Sequence, residues 1–102
     1  MTKYIFSTAL LAALALVLSA GSLQGAESER EFNALLKYGN DLYRKGDYRG
    51  ASLRYRRALE IKKDPLVYYN LGNALYQVKD RPGAVAAFVD SSTKYSMSPS
   101  NR

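Results

Sequence analysis

The chain has 102 residues, room for one small domain, with 15 Lys and Arg against nine Asp and Glu and a net charge of +6. It contains no Cys, no His and no Trp. Those absences exclude zinc fingers, haem held by His or Cys, Cys–His pairs and Ser–His–Asp triads. Much of the 47% apolar content lies in the first 25 residues, so hydrophobicity and charge are counted again beyond them.

Residues Ile5 to Leu18 are apolar apart from Ser7 and Thr8, with Lys3 before them and Ser19, Ala20, Gly21 and Ser22 after them. A basic start, an apolar stretch of about 7–15 residues and a run of small side chains is the pattern of a secretory signal peptide. The expectation is a leader over 1–26, cleaved after Ser22 or after Ala26. The stretch Tyr4–Leu23 nearly reaches the roughly 20 residues a membrane span needs, which keeps an uncleaved inner-membrane anchor as the alternative. The lack of any Cys after the run excludes a lipid-anchored lipoprotein. Export implies a periplasmic chain that cannot use disulfides. Its remaining fourteen basic and nine acidic groups leave a net +5. A core this small supplies only roughly 3–5 kcal/mol unless its packing is regular or a partner completes it.

Sliding the chain by 33 residues pairs Gly39 with Gly72, Asn40 with Asn73, Leu42 with Leu75 and Tyr43 with Tyr76. The same shift pairs Asp47 with Asp80, Gly50 with Gly83, Ala51 with Ala84 and Tyr55 with Phe88. Each copy reads as two helices. Leu35, Tyr38 and Leu42 recur at helical spacing, followed past Gly46 by Ala51, Tyr55, Ala58 and Leu59. The second copy supplies Tyr68, Leu71 and Leu75, then Ala84, Val85 and Phe88.

Boundary residues agree with that reading. Ser28 and Glu31 have the spacing of a capping box that opens the first helix. Gly46 suits a left-handed residue after a helix end, and Asp47 suits the cap of the next helix. Asp64 precedes Pro65 at a first helical position, and Asp80 precedes Pro82 in a similar way. The predicted helices are 29–44, 47–62, 65–78 and 81–95. Gly39 and Gly72 fall inside helices, where glycine costs about 1 kcal/mol relative to alanine. The expectation is a close helix approach with Ala51 and Ala84 opposite them.

Tyr68-Tyr69-Asn70-Leu71-Gly72-Asn73-Ala74-Leu75-Tyr76, with Asp64-Pro65 and Lys45-Gly46-Asp47-Tyr48, resembles the tetratricopeptide repeat over residues 32–95. The chain departs from the family pattern at Leu35, Lys79 and Ser91, where Trp, Gly and Ala are usual. Its period of 33 against about 34 points to a shortened turn near Lys62–Asp64. The resemblance implies an all-α fold of two antiparallel helix hairpins, about 32–64 and 65–95. A disordered tail over 96–102 is expected after them. The leader, the Lys45–Tyr48 turn and the Tyr68–Asn73 helix are together similar to small exported proteins of the bacterial aerotolerance (Bat) type.

The family's binding face maps to Leu36, Asn40, Tyr43 and Arg44 in the first copy and to Tyr69, Asn70, Asn73, Tyr76 and Gln77 in the second. Asn amides both donate to and accept from a peptide backbone, and Tyr adds rigid apolar area. Ordinary packing or solvent exposure is the competing reading of the same residues. Asn40 and Asn70 match two positions of the carboxylate clamp found in some members. Leu36 stands where its Lys would be, which argues against a clamp.

Arg49, Arg54, Arg56, Arg57, Lys62 and Lys63, beside Arg44 and Lys45, form a basic run around the second helix. It reads either as a patch for anionic lipid, envelope polymer or an acidic partner, or as a solvated face whose Arg stems cover the core. No nucleic-acid motif occurs, and nucleic acid is not an expected partner after export. The acidic residues are scattered or committed to caps, so neither catalysis nor a cofactor nor a metal is expected.

Repeat arrays usually need about three units to bury their faces. Two leave Val85, Val89 and Tyr95 uncovered on the fourth helix, which invites a partner or a second copy. The resulting expectation is a non-catalytic adaptor or assembly factor of the bacterial cell envelope that binds another protein or peptide.

Overall fold

The structure, a computed structural model, describes residues 2–99, with side chains from Leu23 to Pro99. Its elements are α1 (Thr2–Arg44), α2 (Tyr48–Ile61), α3 (Pro65–Gln77) and α4 (Arg81–Ser96), and no strand occurs among the described residues. The protein is all-α. The last three helices match their expected spans to within one residue at each end. Residues 1–30 and 31–102 form two separate compact units, and the repeats occupy the second.

One expected boundary is overturned. Ser28 and Glu31 lie inside α1 and open no helix. The stretch Leu23–Glu31 is mostly Leu, Gln, Ala, Glu and Arg, all strong helix formers, so local propensity favours continuing the helix over starting one at Ser28. The leader expected over 1–26 lies for the most part outside the residues whose side chains are described. Among the described residues no helix is long and apolar enough to cross a membrane. Of the expected tail, Ser96 closes α4 and Met97 caps it through an N–H bond to Thr93 O, while residues 100–102 lie outside the described range.

The two turns inside the hairpins are built alike. Gly46 has φ +83 and donates its N–H to Tyr43 O, while Asp47 N–H closes the helix end on Leu42 O at 2.9 Å. This is the Schellman pattern, which satisfies orphan carbonyls at the end of α1. The Asp47 carboxylate then accepts from Gly50 N–H at 2.9 Å and opens α2. One residue therefore closes one helix and opens the next. Lys79 and Asp80 repeat the arrangement with Tyr76 O, Leu75 O and Gly83 N–H. Gly50 and Gly83 follow from the same geometry. A Cβ at either position would meet the capping carboxyl carbon at 2.8 Å.

Lys79 holds φ +67, the conformation its glycine counterpart adopts freely. A non-glycine residue there costs about 1–2 kcal/mol, against about 0.4–1 kcal/mol of unfolded-state entropy that glycine would add. Lys79→Gly is expected to stabilise the protein by about 0.5–1 kcal/mol. The check is a rise in urea midpoint at unchanged slope. An unaltered or lowered midpoint contradicts it.

Between hairpins, Asp64 accepts from Leu66 N–H at 2.8 Å and caps α3, with Pro65 in its first turn. α3 packs against both α4 and α2. The core joins Phe32 of α1, Ala51, Tyr55, Ala58 and Leu59 of α2, Val67, Leu71, Ala74 and Leu75 of α3, and Ala84 and Ala87 of α4. Phe32, Val67, Ala74 and Ala87 were not part of the expected stripes.

One residue of the expected apolar stripes, Tyr38, faces outward. Val85, Val89 and Tyr95 are exposed on α4 as expected, because its inward face runs through Ala84, Ala87 and Phe88. Tyr38 is half-exposed and lies under the Arg54 guanidinium at 4.8 Å, since no helix covers that side of α1 among the described residues. The nearest neighbours of the interior glycines are aromatic rings. A Cβ on Gly39 would meet the Tyr55 ring at 2.7 Å, and one on Gly72 would meet the Phe88 ring at 2.5 Å. Each glycine makes room for an aromatic ring.

Candidate functional site

The second halves of α1 and α3 bring Asn40, Tyr43, Arg44, Asn70 and Asn73 to one cavity of about 270 Å³, floored by Tyr55 of α2. Helical spacing explains the set. Asn40, Tyr43 and Arg44 are three and four residues apart on α1, and Asn70 and Asn73 stand likewise on α3. The helical period of α2 marks Tyr55 only as core. Its chemistry is split, because the ring fills the space left by Gly39 while the hydroxyl reaches the cavity.

The Tyr55 hydroxyl donates to Asn40 Oδ1 at 2.7 Å. Asn70 Nδ2 approaches the same oxygen at 3.5 Å. With its carbonyl engaged in this way, the Asn40 amide presents its NH₂ group, which has no partner among the described residues. The Asn73 side chain likewise makes no hydrogen bond among the described residues. Burial raises the pKa of the Tyr55 hydroxyl above its ordinary value, the Tyr43 phenol adds to the rise, and the Arg44 cation opposes it. Tyr55 is therefore a neutral donor across the physiological range.

Arg44 is held at the rim. Its guanidinium pairs with Asp41 at 3.0 Å, and its Nε donates to Asn40 O at 3.4 Å. Tyr43 is braced edge-on by Tyr48, ring centres 4.9 Å apart. The result is a polar recess with amide donors and acceptors and one cation, walled by tyrosine. It can bind uncharged hydrogen-bonding groups such as peptide amides.

The other expected face residues are placed elsewhere. Leu36 is half-buried against the core. Tyr69, next to Asn70 in sequence, turns to a different cavity between α3 and α4, where its ring tilts on Phe88 at 5.8 Å. Tyr76 and Gln77 are exposed and do not line the Asn40 recess.

The basic run does not form one surface. Arg54 stacks on Tyr38, with its Nε buried and without a hydrogen-bond partner among the described residues. Lys62 sits over the Phe32 ring at 5.4 Å. Arg49 and Arg56 instead flank a shallow hollow with Leu75, Val78 and Asp80. Arg57 and Lys63 are exposed. Successive residues point about 100° apart around a helix, so a basic run in sequence is distributed over several faces.

No curated protein and no solved structure matches the chain. Residues 39–79 match the family model described as TPR repeat, a span running from the Gly39 of α1 through α2 and α3 to the left-handed Lys79. Domains built of such repeats generally mediate protein–protein interaction and are typically non-catalytic. Over residues 39–79 this chain is therefore similar to the tetratricopeptide repeat.

Proposed function

We propose that the protein is an adaptor or assembly factor of the bacterial cell envelope, exported by its N-terminal segment, that docks a segment of another protein in the Asn40 recess. The observation that carries this reading is a pair of amides held in one recess beside Tyr43 and Tyr55, Asn40 with its NH₂ open and Asn73 without a hydrogen bond among the described residues. Open amide groups in a part-buried recess are available to hydrogen-bond a ligand. A peptide backbone offers alternating donors and acceptors that suit two amides. The leader pattern at Lys3–Ala26 supports export.

The competing role, an electrostatic contact with anionic lipid or polymer, loses support from the dispersal of the arginines. The two readings separate by salt and by substitution. The protein and its Asn40→Ala/Asn73→Ala variant are used to capture crosslinked partners from envelope extract. The double variant is expected to weaken partner binding about 10- to 30-fold, from about 1 kcal/mol for each lost hydrogen bond. Raising salt to high ionic strength should leave the wild-type contact largely intact. Binding that ignores both substitutions and vanishes in salt overturns the groove reading.

A further inference from the structure

A shift of 33 residues lays one hairpin's sequence on the next, so each surface of the first has a counterpart on the second. Between α3 and α4 lies a mostly apolar cavity of about 840 Å³, lined among others by Leu66, Tyr69, Phe88, Ser91 and Tyr95. The counterparts of Tyr69, Phe88 and Ser91 are Leu36, Tyr55 and Ala58. There, Tyr55 is 2% exposed and Ala58 0%, on the hairpin against which α3 packs. In the second hairpin Leu66 is 61% exposed, Tyr69 51% and Tyr95 60%. The second hairpin thus presents the groove that α3 fills on the first.

The matching surface is on α1. The inward face of α3 includes Val67 and Leu71, whose counterparts are Ala34 and Tyr38. Leu71 is 6% exposed and Tyr38 48%. Ala34, Leu35 and Tyr38 together border an open hollow with Glu31 and Arg54. Among the described residues, one chain therefore displays both halves of an interface that it already makes internally, an open groove on α3–α4 and an open helix face on α1.

We propose that the α3–α4 groove takes the Glu31–Tyr38 stretch of α1 from a second copy, head to tail, in the way α3 lies on α2. The contact uses residues other than the Asn40 recess, so it stands or falls apart from the partner-binding reading. Because the two surfaces differ, association does not close at two unless one surface is blocked. Arg54 occupies the position where α4 has buried Ala87, so docking must displace its guanidinium from Tyr38. Both copies also carry net positive charge. The contact is accordingly weak, with Kd on the order of micromolar.

Sedimentation of the full chain tests this. The wild type should grow beyond monomer with concentration in the micromolar range. Leu66→Glu blocks the groove and Tyr38→Glu blocks the helix face, both at exposed positions, with retained helical circular dichroism as the check on folding. Each variant alone should remain monomeric, and an equimolar mixture should form a one-to-one dimer, since one intact groove and one intact face remain. Arg54→Ala should tighten association severalfold. Should either glutamate variant misfold, Ser92→Arg, at an exposed position of the groove lining, and Ala34→Arg, on the α1 face, replace the pair. A monomeric wild type, variants that still associate alone, or a mixture that stays monomeric each overturn the proposal. The first of these leaves the groove to a foreign helix, and the second assigns assembly to another surface.

Discussion

Gly72→Ala is expected to destabilise the protein by about 1–2 kcal/mol, although alanine is the better helix former. The opposing terms have known sizes. Replacing an interior helical glycine by alanine contributes about 1 kcal/mol of helix propensity. Overpacking a filled core costs about 1–3 kcal/mol. Here the new Cβ would meet Phe88 at Cε1, Cδ1 and Cζ, at 2.5, 2.6 and 2.9 Å. Those are three atoms of one rigid ring, which rests against Tyr69 on its other contact, so no flexible end can swing away. Strain outweighs propensity. A fall in urea midpoint at unchanged slope is the readout. Phe88→Leu in the same chain should recover part of the loss, giving a favourable coupling between the two sites. A more stable Gly72→Ala protein would show that α3 and α4 can part at no cost, which contradicts the packing described above.

Tyr55→Ala is expected to cost about 3–5 kcal/mol, comparable with the whole stability of a domain this small, and to leave the repeats unfolded at room temperature. The ring is 2% exposed, fills the space that Gly39 leaves open and floors the Asn40 recess. Tyr55→Phe separates packing from polarity. It keeps the ring, removes the 2.7 Å bond to Asn40 and should cost only about 1 kcal/mol.

The same pair reads out pH. Because burial raises the folded-state pKa of Tyr55 above its unfolded value of about 10, its stabilising share is complete below that value. It is lost as pH climbs through the folded-state pKa. Tyr55→Phe should therefore flatten the decline of stability above pH about 10 while leaving the neutral range shifted by a constant amount. Identical alkaline profiles for the two proteins would show that the hydroxyl is not desolvated in the fold.

Much of the architecture is legible without coordinates because its signals are local. A left-handed Gly46 and capping Asp47, Asp64 and Asp80 act on backbone groups within three residues of themselves. The second hairpin turn was legible even where it departs from glycine, since Lys79 must adopt the conformation its neighbours impose. Ser28 shows where local reading fails. Its capping box is a real pattern, yet it sits in a stretch whose propensity carries the helix straight through. A cap signal decides a boundary only when the residues before it cannot remain helical.

The candidate site was legible by half. Five of the nine face residues share one recess, because spacings of three and four survive folding unchanged. Tyr69 diverges from Asn70 because one step along a helix is a turn of about 100°, and only the position of α4 decides which groove receives which residue. Tyr55 was hidden for the opposite reason. Its hydroxyl comes from a helix whose period marks the residue as core, and no pattern in α2 announces that the polar tip passes between α1 and α3 to Asn40.

What the amino-acid order determined by itself is the helical hairpins, their period and their turns, since hydrogen bonding between near neighbours dictates them. Only the tertiary structure decided which ring each glycine admits and which faces stay uncovered. Those outcomes depend on the rotational phase of one helix against another, which is set by packing across the core and is written in no single segment.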